Sequence, residues 1–299
     1  MKVIRKVLEY LFILIIILSL NFLIPRLMPG DPFTYLSSDE GDIHQSYSEE
    51  QINMYKAYYG LDKPLKEQYK DYMYKLINKD LGMSIHYNDK VSNIIKNRAK
   101  WTISISMVSL FISFFIGLVL GSISAYKKNS LFDKIIYTLM MILSEIPSFL
   151  IGIFLLFTLG AKYKIFPLSG GMTVFSDYTG YERYKDLIMH AAMPVISLVL
   201  SQVGSFYLLS RNSMLNIIKK EYIKTAKAKG LETRQIIFTH ALRNAIIPII
   251  TRLFMSLGSI LSSAMLVENV FNYPGIGSLM KQSIILRDYT LIQGIFLYV

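Results

Sequence analysis

The chain has 299 residues, of which 53% are hydrophobic, and its mean hydropathy of +0.39 is too high for an ordinary soluble domain of this length. It contains no Cys, which excludes disulfides, thiolate catalysis and Cys-based metal sites. A net charge of +11 suggests nucleic acid at first, but the Lys and Arg excess sits in short segments that flank apolar runs, which is a membrane-topology pattern.

Five apolar runs reach the roughly 20 helical residues that a bilayer crossing needs. The first, residues 7–24, follows Lys2, Arg5 and Lys6. It leads into Ile24-Pro25-Arg26-Leu27-Met28-Pro29-Gly30 with no small-x-small cleavage site, so it reads as a retained anchor and not as a signal peptide. Residues 28–100 are the one candidate for a separate subdomain. There Ser48-Glu49-Glu50-Gln51 has the spacing of a capping box, Ile52, Tyr55 and Tyr59 share a helix face, and Gly60 supplies a stop. A second helix is predicted to start near Pro64, to carry Leu65, Tyr69, Tyr72 and Leu76 on one side, and to end before Gly82. Such tyrosines suit contact with a partner or cargo; the plainer reading is that they pack a short helical pair onto the membrane domain.

The second run, residues 102–125, has no charged residue, holds the close-approach pattern Gly117-x-x-x-Gly121, and ends at Lys127-Lys128. The third, 135–161, is interrupted by Glu145 and Pro147. The fourth, 187–210, carries His190 and Gln202, and the fifth, 244–267, carries Arg252. A sixth opens at Tyr289 and stops at Val299. As a helix it would cover about 16 Å of a ~30 Å hydrocarbon core, so a truncated product or fragment is expected.

An ionisable residue deep in a span is a functional candidate by default. Glu145 is therefore a candidate for a cargo pathway, with Gln202 beside it. The competing reading of Glu145 is that it satisfies the backbone carbonyl freed by Pro147. His190, Gln202 and Arg252 also read as interhelical hydrogen-bond partners.

With the N-terminus inside, residues 1–6, 127–134 and 211–243 face the cytoplasm, and all three segments are rich in Lys and Arg. The loop after the third run carries Lys162, Lys164, Arg183 and Lys185, and the last outer stretch only Lys281 and Arg287. Enzymatic signatures do not occur. There is no G-x-x-x-x-G-K-[ST] phosphate loop, no H-E-x-x-H, no G-x-S-x-G elbow, and no Asp within any span.

The segment 221–248, EYIKTAKAKGLETRQIIFTHALRNAIIP, stands apart. A first short helix places Tyr222, Thr225 and Ala226 on one side, and Gly230 breaks it. A second, about residues 232–242, pairs Ile237 with Ala241 and Phe238 with Leu242 at i,i+4 spacing. A basic hairpin lying on anionic lipid is the plain alternative. A lipid-lying helix, however, has no use for a small tip of Thr225, Ala226, Ala228 and Gly230 and would show larger anchors.

These residues resemble the permease subunits of bacterial ABC importers, in the peptide and nickel branch that works with an external binding protein. The loop is similar to that superfamily's "EAA" coupling segment in its peptide-branch form T-A-x-A-K-G-L…H-A-L-R-N-A-x-I-P, present from Thr225 to Pro248. Aligned on Gly230, Lys224 stands where the sugar-transporter version has Glu, and Arg243 where it has a late Pro. Further likenesses follow in order: Pro29-Gly30-Asp31-Pro32, Tyr59 to Leu65, Asp80-Leu81-Gly82-Met83-Ser84, Ile146-Pro147-Ser148-Phe149, Phe166-Pro167-Leu168-Ser169-Gly170, Val267 to Gly277, and Arg287-Asp288-Tyr289. Each is weak alone; together they resemble the subunit that carries a long outer loop after its first span.

The resemblance implies an all-α, six-span type I permease with a last span apparently incomplete. It divides into an anchor (1–27), an extracytoplasmic loop with short helices (28–100) and a core (101–299) with a coupling loop at 211–245. The implied function is import of oligopeptides or dipeptides by ATP-driven alternating access. Tyr222, Thr225, Ala226, Ala228, Lys229, Gly230 and Leu231 would contact the ATPase. The implied partners are a second homologous permease, two cytoplasmic ATP-binding subunits, an extracytoplasmic binding protein and the lipid of the bacterial cytoplasmic membrane. ATP and Mg would reside on the ATPases and no cofactor on this chain. A nickel or metal-chelate importer is the nearest alternative, and an ATPase-independent channel or scaffold the alternative from another class.

Overall fold

The computed structural model describes residues 2–28 and 49–299, so Ser48 of the capping box and the Pro29-Gly30-Asp31-Pro32 motif lie outside the described residues. Among the described residues there is no β-strand, only an isolated antiparallel bridge between Met83 and Lys90. The chain divides into two compact units, Met1–Ala99 with Leu279–Val299, and Lys100–Ser278.

The first unit holds α1 (Lys2–Arg26), α2 (Glu49–Tyr59), α3 (Leu65–Ile77) and α12 (Tyr289–Tyr298). Gly60, in the left-handed region at φ 68°, ends α2 as expected, and Pro64 caps α3. Tyr69 and Tyr72 pack on the buried ring of Phe22, with centroids at 5.2 and 5.5 Å. Their hydroxyls meet Ser19 and Asn21 of α1, and burial pushes the Tyr72 phenol up to about 12. The stripe is a packing face. Lys63 and Asp71 pair at 2.7 Å, which raises the ammonium pKa and lowers that of the carboxyl; being exposed, the pair adds little stability.

The sequence reading placed residues 289–299 with the permease core, whereas the structure joins them to the first unit. The Asn21 amide donates to the Gln293 carbonyl at 3.1 Å. Asp288 is fully buried; it caps α12 through the Leu291 N–H and also accepts from the Ser84 hydroxyl and the His86 N–H. Two motifs 204 residues apart thus form one joint.

The second unit takes α4 (Val91–Tyr126) from Lys100 onward, then α5 (Leu131–Glu145) and α6 (Ser148–Leu155), which runs into a π-helical stretch at Leu156–Lys162. After these come α7 (Gly180–Ile218), α8 (Glu221–Ala228), α9 (Thr233–Gln235), α10 (Leu242–Val270) and the first turn of α11 (Ile276–Ile285). Helix α7 is the hub, with α5, α6 and α10 packed on it. The Gly117/Gly121 pattern finds its neighbour here: Cβ atoms on those glycines would run into Phe206, Tyr207 and Ser210 of α7. On α7 itself, Gly204 admits the Met140 carbonyl and Ser144 of α5 at a distance no Cβ would allow.

Among the described residues, four helices are long and apolar enough to cross a membrane, and the pair α5–α6 makes a fifth if counted as one span. That pair is bent by 100°, at the interruption that Glu145 and Pro147 make in the third apolar run. The cause is local. Pro147 disfavours helical backbone at the residue before it, and Ile146 is extended at φ −85°, ψ 121°.

Candidate functional site

The hairpin between α7 and α10 is built on its own small core. Ile223 and Ala226 of α8 cluster with Ala125 of α4, Met214 and Ile217 of α7, and Ile236, Ile237, Ala241 and Ala245 beyond the turn. Gly230 sits in the left-handed region at φ 73°, and the Leu231 N–H donates to the Ala226 carbonyl at 3.4 Å, the pattern of a helix closed by glycine. A Cβ on Gly230 would meet nothing within 4 Å, so the requirement for glycine is conformational and not steric.

The sequence-predicted docking residues divide in two. Tyr222, Thr225, Ala228, Lys229 and Gly230 are exposed, and Leu231 is half-buried against the cluster. Ala226 is only 7% exposed and faces the hairpin core, so it is not available to an external cleft, contrary to the expectation. Ile223, fully buried, is the residue the sequence reading missed; its i,i+3 spacing to Ala226 was the available signal. The second helix is likewise not a separate element. From Thr233 it passes through a π-helical stretch, Ile236–Ala241, straight into α10. Tyr222 is tied to the start of α10 by the Asn244 amide, which donates to its hydroxyl at 2.9 Å.

Next to the hairpin lies a buried polar node that no sequence motif announced. Arg211 of α7 makes a two-point contact with Asp133 at the start of α5, Nε to Oδ1 at 2.7 Å and Nη2 to Oδ2 at 2.8 Å. Asp133 also accepts from the Ser124 hydroxyl of α4 and the Asn129 N–H, and Ser124 in turn meets the Tyr207 hydroxyl at 2.6 Å. Side-chain exposure is 3% for Asp133 and 14% for Arg211. The node fastens α4, α5 and α7 together at the end where the hairpin begins.

The residues weighed as pathway candidates lie elsewhere. Glu145 is exposed at the last position of α5, at the break, and Gln202 is half-buried on α7. His190 turns inward to its own helix, its Nδ1 at 2.9 Å from the Asp186 carbonyl, while the Asp186 carboxylate binds Thr173. Arg252 is exposed on α10 and makes no hydrogen bond or ion pair among the described residues, which removes the interhelical role expected for it.

The family model described as binding-protein-dependent transport system inner membrane component matches residues 117–299, and its N-terminal companion matches residues 1–106. The chain belongs to this family. Such permeases work with a substrate-binding protein and an ATPase, so ATP hydrolysis lies in partner subunits. Among its relatives is the di/tripeptide transport system permease protein DppB of Pseudomonas aeruginosa, 31% identical over 92% of this chain and 84% of that protein. The dipeptide transport system permease protein DppB of Escherichia coli is 29% identical over 92% and 85%. A putative peptide transport system permease protein of Brucella abortus is 28% identical over 99% and 90%.

At the other end of α10 the permease carries another buried acid, Glu268, which is fully enclosed and accepts the Gly277 N–H at 2.6 Å. Thr102 of α4 accepts the neighbouring Ile276 N–H at 2.8 Å, and the Phe271 carbonyl accepts from Gly170 at 3.0 Å. Trp101 stands edge-on to Tyr273 with centroids 5.5 Å apart. The Phe166–Gly170 and Val267–Gly277 motifs are thus two sides of one joint. Glu268→Ala strips the Gly277 N–H of its acceptor, and a stability loss of about 1–3 kcal/mol is expected, with Glu268→Gln retaining most of it. Thermal unfolding of purified permease separates the two; equal melting of both variants would remove the acceptor role.

Proposed function

We propose that this chain is one of two related permeases forming the pathway of a peptide importer in the bacterial cytoplasmic membrane. Its N-terminus and the α8–α9 hairpin face the cytoplasm. Two ATPases carrying ATP and Mg each take one coupling hairpin, from this chain and from its homologous partner, and a binding protein delivers oligopeptide or dipeptide from outside. ATP binding closes the ATPases, displaces the hairpins and biases the spans between inward- and outward-open states.

The observation that carries this reading is the hairpin. It has a core of its own, it is anchored on the ends of α4 and α7, and it continues into α10 while its tip stays small and exposed. A lipid-lying helix would turn its apolar face to the bilayer; here Ile223, Ile236 and Ile237 face each other's cluster. The names of the relatives support peptide as cargo.

The test is co-purification of the permease from native membranes together with ATP-dependent uptake of labelled di- and oligopeptides. An ATPase and a second permease are expected in the complex, with uptake that stops on nucleotide depletion. Recovery of the chain without any nucleotide-binding partner would overturn the proposal, and uptake of a nickel chelate without peptide would reassign the cargo.

A further inference from the structure

Among the described residues of the spans, Glu145 and Arg252 share a property: each is exposed, charged and without a hydrogen bond or ion pair. Charges facing lipid are costly, so such groups mark faces that water or another molecule covers. Their surroundings agree. Glu145 ends α5 at a 100° break, and non-helical backbone at membrane depth is tolerated only where it is buried in protein or lines a water-filled cavity. On the exposed side of α10 Arg252 has Ser259 and Ser262 near it together with Met255, while Ile247, Ile250 and Phe254 lie further round the helix.

Helix α7 packs against both of the helices that carry these charges. Gly204 lies against Met140 and Ser144, immediately before Glu145. Phe206, two residues on, belongs to one apolar cluster with Leu242, Ile246, Ile249, Leu253, Leu257 and Ile260, the stretch of α10 that carries Arg252. Gln202 is on the same stretch of α7. Packed helices lie 8–10 Å apart, so the axes of α5 and α10 are at most about 20 Å from each other across α7. An extended peptide covers about 3.3–3.6 Å per residue, and the Glu and Arg side chains add length of their own, so a short peptide can bridge that gap.

We propose that Glu145 and Arg252 are the two charge contacts of the pathway for a zwitterionic peptide, Glu145 taking the N-terminal ammonium and Arg252 the C-terminal carboxylate. The assignment of ends follows from chemistry. The C-terminal end of α5 adds the negative pole of its helix dipole to the Glu145 carboxylate, which suits a cation. The guanidinium of Arg252 presents a planar fork of donors that matches a carboxylate. This rests on the peptide-import reading and deepens it.

The experiment uses the complete transporter in proteoliposomes with trialanine, N-acetyl-trialanine and trialanine amide, each uptake rate corrected for affinity to the binding protein. The parent is expected to favour free trialanine over both blocked forms. Arg252→Gln is expected to lower the preference over the amide by about tenfold and to leave the preference over the acetylated form; Glu145→Gln is expected to do the reverse. Arg252→Lys, which keeps the charge, retains most of the preference. If either Gln variant slows all three peptides by one common factor, or the parent does not distinguish them, the assignment fails while peptide import stands. If the parent imports none of the three, the peptide-import reading fails with it.

Discussion

Arg211→Ala is expected to cost about 3–5 kcal/mol of stability, because it leaves the Asp133 carboxylate enclosed without its cation. The pair is two-point and nearly closed to solvent, and Asp133 holds Ser124 and Asn129 in the same grip, so the loss extends to three helices. Little variant permease should accumulate in membranes, and what does should melt well below the parent in detergent. Arg211→Lys recovers part of the loss, since an ammonium is a point charge and cannot reproduce the parallel contacts to both oxygens. A melting curve matching the parent's would show that the pair is solvated and contributes nothing.

Gly230→Val is expected to leave the permease inserted and to abolish ATP-dependent import. A left-handed backbone costs an L-residue roughly 1–2 kcal/mol, and the β-branch makes it worse, so the turn after α8 opens while the spans stay intact. Uptake and ATPase pull-down from the same membranes should fall together. Ala226→Trp should give the same phenotype by another route. Its added volume overpacks the hairpin core, at typically 1–3 kcal/mol, and does not obstruct an external cleft. Charge reversal at Lys219, exposed before the hairpin, should do much less. Parent-like transport by Gly230→Val would end the coupling role given to this loop.

What was legible in the sequence was whatever a period or a backbone demand writes locally. The apolar runs, Gly60 and Gly230 as helix stops, Gly117 and Gly121 as a packing face, and the Gly-centred hairpin could all be read from neighbours a few residues away. Contacts between distant segments left no such trace. Asp133 and Arg211 are 78 residues apart, and either alone looks like a charge at a span end. Ser84 and Asp288, and Gly170 and Phe271, sit in motifs that can be read in chain order, but nothing local says that they close on each other. At Ile146-Pro147 the break was legible but its sharpness was not, for a related reason. Proline marks a break, but its angle is set by what α5 and α6 each pack against.

One rung is missing from α10, and it is near the hairpin. Pro248 has no N–H to offer the carbonyl of Asn244, while the side chain of that same Asn244 holds Tyr222 of α8. A push on α8 therefore enters α10 before its weakest point, and the helix has a pivot just beyond. From Pro248 to Val270 the lever is about 33 Å long, so a tilt of ~5° sweeps its far end by about 3 Å. Arg252, about 6 Å past the pivot, moves by only about 0.5 Å in the same swing. On the pathway proposed above, the far mouth could open and shut while Arg252 stays nearly still, and a peptide held there would find the exits changing around it.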